Sequence, residues 1–210
     1  MVKIHWITHA CFKITTEDNK VIYTDPYQIK APDDSADIIL VSHSHYDHFE
    51  ENSVQKIFKQ DTKLICPKTI VTELKRFNPT GLDPDQSIDI GNIRISAVPA
   101  YTPNKQFHPK GNKWVGFIIE TGGKRIYHAG DTDLIPEMKN LGKLDIALIP
   151  VGGTYTMDFQ EATTCCGIIK ASVIVPMHDW NKDLNQFKEM VSKAISSVKV
   201  EILKGKDLEI

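Results

Sequence analysis

Cysteine is scarce in this chain: the 210 residues include four, and no two of them form a C-x-x-C pair. This scarcity excludes a disulfide-rich scaffold and the common paired-cysteine zinc sites. Cys165 and Cys166 are adjacent on a predicted helix and therefore point in different directions. We expect them, together with Cys11 and Cys66, to be small buried residues with reduced thiols, which disfavours a cysteine nucleophile.

The chain also lacks long apolar runs and a large excess of charge of either sign. No stretch approaches the 18 consecutive apolar residues of a membrane-spanning helix, and residues 1–5 show no signal-peptide core. The 25 Lys and Arg residues nearly balance the 27 Asp and Glu residues, so the net charge of -2 gives no electrostatic case for nucleic acid. We expect a cytoplasmic protein that acts on a small molecule, with no membrane partner and with nucleic acid disfavoured.

The chain has no Pro/Gly/Ser-rich linker, and several well-known enzyme motifs do not occur in it. Without a linker, and with 41% hydrophobic residues, residues 1–210 are predicted to form one domain. The sequence has no G-x-S-x-G elbow, P-loop or dinucleotide fingerprint. Serine hydrolases and nucleotide-dependent enzymes are therefore disfavoured.

What the chain does have is a dense cluster of metal-binding residue types at His43-Ser44-His45-Tyr46-Asp47-His48. Imidazole nitrogen and carboxylate oxygen are the donors that zinc and its first-row neighbours accept. The preceding residues, 37–42, form an apolar run typical of a buried strand. The cluster therefore follows the carboxyl end of a strand, where ligands gather in layered α/β proteins. The pattern predicts a metal site.

The order of predicted elements gives the fold class. Short strands separated by turns fill the first quarter, and strands alternate with helices in the final third. This order suggests two mixed β-sheets packed together with helices outside, four layers in all. The apolar spacing and a favourable Pro67 start predict helices over 50–60, 67–77, 159–170 and 184–198.

Two further strand ends carry residues that suit a metal site. Asp131 follows Gly130, which lets the backbone turn sharply, and its two oxygens could bridge two cations or cap the helical turn that follows. His178 ends another apolar strand in Pro176-Met177-His178. A third such coincidence favours one shared site.

With these motifs in place, the chain resembles the metallo-β-lactamase-fold hydrolases over nearly its whole length. The resemblance rests on Tyr23-Thr24-Asp25-Pro26, the cluster at 43–48, His128-Ala129-Gly130-Asp131-Thr132 and Pro176-Met177-His178. It is similar in particular to the small single-domain branch of metal-dependent hydrolases that includes sugar-phosphate lactonases, which the opening His9-Ala10-Cys11-Phe12 also fits. The fold that this resemblance implies is the α/β four-layer αββα sandwich.

The resemblance also implies a ligand set and residues behind it. His43 and His45 would bind one metal, and Asp131 would bridge it to a second metal held by Asp47, His48 and His178. Asp25 matches an early aspartate that orients ligating imidazoles, although a turn-forming role before Pro26 is an equal alternative. His9 would face the site from behind the ligands.

One expected ligand is missing from the pattern. The family supplies a third histidine to the first metal after a strand in mid-chain, but here that strand leads to Thr102, whose hydroxyl is a poor zinc ligand. His108 could reach in from the loop as the third ligand or contact the substrate instead, or water could fill the position. An unfilled position would favour manganese or iron over zinc.

Together these features predict a metal-dependent hydrolase with two divalent metal ions, zinc favoured over manganese or iron. A metal-bound hydroxide, oriented by Asp47 as the catalytic residue, would attack an ester, lactone or phosphoester. Lys105 and Lys110, in the loop 102–113, would contact an anionic substrate group, or simply be solvated. The alternatives are a nuclease or phosphodiesterase of the same fold and a non-catalytic metal-binding module with a degenerate first site. The branch often forms homo-oligomers.

Overall fold

The computed structural model describes residues 1–32 and 34–210, and β-strands dominate this part of the chain. Fourteen strands are present in the described residues: β1 (Lys3–Thr8), β2 (Cys11–Thr15), β3 (Val21–Thr24), β4 (Ile38–Leu40), β5 (Lys63–Pro67), β6 (Thr80–Leu82), β7 (Ser87–Ile90), β8 (Ile93–Pro99), β9 (Val115–Thr121), β10 (Lys124–His128), β11 (Leu144–Pro150), β12 (Ala171–Met177), β13 (Lys199–Val200) and β14 (Asp207–Glu209). The helices are α1 (Glu51–Ile57), α2 (Phe159–Ile168) and α3 (Leu184–Ala194), with 3-10 turns at Lys68–Ile70, Lys75–Phe77, Lys110–Asn112 and Pro136–Asn140.

The strands form two seven-stranded sheets with the same internal pattern. Sheet one has the order β14-β1-β2-β3-β4-β5-β6, and sheet two has the order β13-β12-β11-β10-β9-β8-β7. In sheet one the pairs from β14 to β3 are antiparallel and those from β3 to β6 are parallel. Sheet two likewise joins an antiparallel half, β7 to β10, to a parallel half, β10 to β13.

Alternation along the strands builds two hydrophobic clusters. Ile38 and Leu40 of β4 belong to the large cluster shared with sheet two, whereas Ile39 between them belongs to a second cluster on the other face of sheet one. Helix α1 covers that second face with Val54 and Ile57. Helices α2 and α3 pack into the large cluster beside β11, most of whose residues are buried. The predicted α/β fold with two mixed sheets and covering helices is confirmed.

The segment 67–86 differs from the prediction. The expected helix over 67–77 is instead two short 3-10 turns, because Pro67 completes β5 and pairs with Leu82. That partner lies in β6, within a stretch rich in Pro and Gly that reads as a loop. Gly81 lets β6 pass close to these turns, since a Cβ there would lie 2.6 Å from the Val71 side chain and 2.9 Å from the Lys68 Cα.

The structure also bears on the cysteines and on the expected lack of a membrane-spanning helix. The four cysteines are free and buried, and burial raises the pKa of Cys11, Cys66 and Cys166 to about 12. No helix within the described ranges has the length and apolar character needed to cross a bilayer.

Candidate metal centre

The first donor group contains the imidazoles of His43, His45 and His108, whose ring nitrogens can share one ion. His43 Nε2 lies 3.1 Å from His45 Nδ1, and the His108 ring is 5.1 Å and 4.9 Å from their rings. His43 and His45 follow β4. His108 arrives from the loop after β8, where the Thr102 amide donates to the His108 carbonyl at 2.9 Å and closes the loop. Trp114 packs against all three imidazoles at 4.9 to 5.6 Å.

The second donor group contains His9, Asp47, His48 and His178, which can also share one ion. His9 Nε2 lies 3.1 Å from Asp47 Oδ2, and the centroid of its ring lies 3.9 Å from that of His178 at an interplanar angle of 41°. The His178 amide donates to the His9 carbonyl at 3.1 Å, which ties the end of β12 to the turn after β1. Both sheets therefore contribute to this group.

Asp131 lies between the two groups. Its Oδ1 is 3.2 Å from His48 Nε2, and its Oδ2 is 3.2 Å from His108 Nε2 and 3.1 Å from His178 Nε2. The carboxylate is placed by Gly130, whose φ of +61° suits glycine. A Cβ at Gly130 would lie 2.9 Å from the Ser42 side chain, so this turn of sheet two packs directly on sheet one.

Asp25 supports both groups from behind. The carboxylate is fully buried, and its Oδ2 lies 2.7 Å from His48 Nδ1 and accepts the Ser42 hydroxyl at 2.7 Å. The Ser42 Oγ in turn lies 2.9 Å from His43 Nδ1. Contacts of this kind orient ligating imidazoles and fix which nitrogen faces the metal.

These residues have the donor chemistry and the unsatisfied atoms that a metal site requires. Buried atoms without a hydrogen-bond partner include His9 Nε2, His48 Nε2, His108 Nε2, His178 Nε2 and Asp131 Oδ1. Leaving so many polar atoms unpaired is costly, and buried polar groups are normally paired or coordinated. Imidazole and carboxylate are also the donors that zinc, manganese and iron accept. The two donor groups and Asp131 together fit a divalent metal centre.

Comparison with known proteins agrees with this geometry. A family model described as a beta-lactamase superfamily domain matches residues 3–178, which includes every donor in both groups. The chain belongs to the metallo-β-lactamase superfamily.

Several of its relatives are named metal-dependent hydrolases. The UPF0173 metal-dependent hydrolase of Nanoarchaeum equitans is 36% identical over 187 residues, covering 84% of this chain and 83% of that protein. A Parabacteroides distasonis crystal structure assigned to the metal-dependent hydrolases matches with a TM-score of 0.87 and 31% identity, covering 96% of this chain and 92% of that one. Igni18, a metallo hydrolase from Ignicoccus hospitalis, matches with a TM-score of 0.84 and 25% identity, covering 100% and 99%. This chain is therefore a metal-dependent hydrolase of that superfamily.

Electrostatics differ between the two donor groups of this hydrolase. Burial lowers the pKa of His43 well below its ordinary value and also lowers that of His45. Burial also acts to lower the pKa of His48, but the carboxylates of Asp131 and Asp25 outweigh it and raise that pKa well above its ordinary value. Burial thus favours the neutral imidazole at His43 and His45, whereas the neighbouring carboxylates favour the charged imidazole at His48.

A cleft of about 220 Å³ opens onto both groups of the metallo-β-lactamase centre. We call it the aromatic cleft, and its lining residues are His45, Tyr46, Asp47, Phe107, His108, Asp131, Tyr155, His178 and Trp180. The aromatic members could not be assigned from sequence, because isolated aromatic residues in loops carry no spacing signal.

Lys105 and Lys110 are not among the residues that line this cleft, and their contact with an anionic substrate stays a prediction. The Lys105 ammonium pairs with the Asp133 carboxylate and donates to the Thr156 carbonyl at 2.9 Å. The Lys110 ammonium lies 2.8 Å from a Glu137 carboxylate oxygen. Each lysine is therefore engaged by a carboxylate outside the cleft, which a sequence pattern of cations in a loop cannot reveal.

Proposed function

We propose that this hydrolase binds two divalent metal ions, preferably zinc, and cleaves a small-molecule ester, lactone or phosphoester. The observation that carries the proposal is the position of His108 beside His43 and His45. Three imidazoles make a complete protein donor set for a catalytic zinc ion with one open position. This arrangement supports catalysis over a degenerate, purely structural metal module.

The proposed assignment gives each ion its own residues. The first ion would be held by His43, His45 and His108. The second would be held by Asp47, His48 and His178, with Asp131 placed to donate one oxygen to each ion. Asp25 and His9 would orient this set rather than complete it.

The residues around the cleft define the proposed chemistry. A divalent metal held there would lower the pKa of coordinated water toward neutrality and polarise the substrate oxygen. Burial acts to raise the pKa of Asp47, but the nearby imidazoles of His9 and His48 outweigh it and lower this pKa, which favours the ionised carboxylate. Asp47 can therefore accept a proton from the attacking water and return it to the leaving oxygen, yielding an acid and an alcohol from an ester.

Metal analysis and a substrate panel test this proposal together. Elemental analysis of protein loaded with zinc, manganese or iron should give close to two equivalents. Lactones, carboxylic esters, phosphodiesters and phosphonate esters would then be assayed with each metal. His48→Ala should abolish the activity found and lower metal content, because this imidazole contacts both Asp25 and Asp131.

His5→Ala provides the matched control, since the His5 imidazole pairs with Asp207 outside both donor groups. A metal content near zero in carefully loaded protein would contradict the proposal. An unchanged rate in His48→Ala would mean that the assigned residues are wrong. A cytoplasmic location and a homo-oligomeric state stay predictions from the sequence.

A further inference from the structure

We propose that the aromatic cleft selects an electrically neutral substrate that carries a single aromatic ring close to the scissile ester bond. The inference rests on the proposed hydrolytic function and adds the substrate class to it. Three observations carry it: the aromatic residues of the cleft, the absence of cations from its lining and its volume.

Exposed aromatic side chains are concentrated at this one place. In the described part of the chain, four large hydrophobic residues are exposed, and three of them line the cleft: Tyr46 at 70%, Phe107 at 42% and Trp180 at 45%. Tyr155 connects two of these, with its ring 4.8 Å from Phe107 and 5.9 Å from Trp180. Contiguous exposed apolar surface beside a polar centre marks a ligand-binding site.

The cleft offers no cationic side chain to an anionic group that lies away from the donor groups. Among the nine lining residues that the structure describes, none is a lysine or arginine. A carboxylate or phosphate on the part of the substrate remote from the metals would face aromatic rings without a cationic partner. Unpaired charge next to apolar surface is costly, and sugar phosphates and nucleic acids both carry such charge.

The volume of the cleft suits about one ring. An apolar cavity of about 150 Å³ is enough to hold benzene, so a cleft of about 220 Å³ leaves space for a ring and a short ester or lactone group. The Trp180 ring lies 5.6 Å from His178, and Phe107 directly precedes His108. A ring held between these aromatic side chains would place an ester group one carbon away beside both donor groups.

Three acetate esters with alcohols of similar reactivity test the inference. They are benzyl acetate, 4-carboxybenzyl acetate and ethyl acetate, assayed with zinc-loaded protein. We expect kcat/KM for benzyl acetate to exceed that for each of the other two by about tenfold, the gain that one well-placed aromatic contact provides. Equal or higher values for ethyl acetate or 4-carboxybenzyl acetate would overturn the inference.

Substitutions at the cleft locate the preference. Trp180→Ala and Phe107→Ala should each reduce the ratio of benzyl to ethyl turnover to about one-third or less, while Trp180→Phe should retain most of it. Because the ratio is measured within one variant, general damage to the metal centre cancels. Phe58→Ala is the control, since Phe58 packs against Phe77 in the cluster around α1. An unchanged ratio in both cleft variants would overturn the inference.

A binding measurement separates this inference from the hydrolytic proposal. N-benzylacetamide and its 4-carboxyl derivative are titrated into the protein by ligand-observed NMR, and we expect the neutral amide to bind about tenfold more tightly. If that preference is found but no ester is cleaved, ester hydrolysis is wrong and the selectivity of the cleft stands. Equal binding of the two amides would overturn the cleft proposal even if esters are cleaved.

Discussion

The two donor groups of the centre are built differently, although they share Asp131. The first group depends on His108, which a loop delivers, and on His45, which is partly exposed. In the second group, His9 and His178 come directly after β1 and β12, and the hydrogen bond from the His178 amide to the His9 carbonyl ties them together. A donor set held together in this way loses less entropy on binding a metal than one that depends on a donor from a long loop. We therefore expect the second group to bind its ion more tightly.

The hydrogen bonds that orient the imidazoles also favour the second group over the first. Asp25 contacts His48 directly at 2.7 Å, but it reaches His43 only through the Ser42 hydroxyl. A charged acceptor orients an imidazole more strongly than a hydroxyl does. One carboxylate thus supports both groups, directly at His48 and indirectly at His43.

The largest effect should come from removing what the groups share. Asp131→Asn takes away the negative charge between His48, His108 and His178, so both ions should bind more weakly. Several kcal/mol of charge stabilisation would be lost, corresponding to a rate lower by about 10³-fold. Metal equivalents and kcat/KM measure the effect. Asp207→Asn, at the edge of sheet one, serves as the control, and two equivalents retained in Asp131→Asn would refute a bridging role.

Removing the loop-borne donor should separate the groups. His108→Ala should weaken the first ion by about 100-fold or more, beyond the range for a merely supporting residue, and leave the second unchanged. Metal titration should then show one tight equivalent instead of two. If both equivalents persist at full affinity, another donor completes the first group, and His108 serves the substrate.

Asp25→Asn and Ser42→Ala compare the two kinds of support. Asp25→Asn should weaken metal binding at both groups by about 10-fold to 100-fold. Ser42→Ala should affect mainly the first group, because its hydroxyl contacts His43 directly and reaches His48 only through Asp25 Oδ2. Competition with a chromogenic chelator gives both affinities. Identical losses in the two variants would mean that the unequal support has no energetic consequence.

The smallest effect is expected from crowding one side of the second group. A Cβ at Gly152 would lie 2.5 Å from the His178 carbonyl oxygen and 2.6 Å from the Trp180 ring. Gly152→Ala should therefore lower the free energy of unfolding by about 1–3 kcal/mol and weaken the second ion only.

Gly167→Ala is the matched comparison for that substitution. Its Cβ would meet Ile195 at 3.4 Å, an ordinary contact, within helix α2. Alanine should stabilise the helix by about 0.5–1 kcal/mol there. Urea unfolding measures both variants, and equal stability of the two would show that the space around His178 is not tight.

Sequence reasoning could reach the parts of this centre that follow strands. His43, His45, His48, Asp131 and His178 each come after an apolar run, and parallel strand ends meet at one edge of a sheet. The pattern also predicts two mixed sheets, because meandering strands give way to alternation with helices. Hydrophobic periodicity and strand-end position are local signals, and a single sequence displays them.

Long-range placement could not be predicted in the same way. Strand β6 is hidden by Pro and Gly, and β13 and β14 are only two and three residues long. The reach of His108 depends on a hydrogen bond that closes its loop, and the pairing of Lys105 depends on Asp133, 28 residues away. Such contacts arise only after the sheets have packed.

The contribution of both sheets to the centre has a consequence for assembly. His43 and His48 follow a strand of sheet one, whereas Asp131 and His178 follow strands of sheet two. An ion bound between them would therefore link the two sheets. Only the closed sandwich offers that ion its full set of donors, and each tenfold excess of free metal over its dissociation constant should add about 1.4 kcal/mol to the free energy of unfolding. A cell that withholds the metal would thus leave this protein not only inactive but also with a lower free energy of unfolding, because the two sheets would lose the ion that links them.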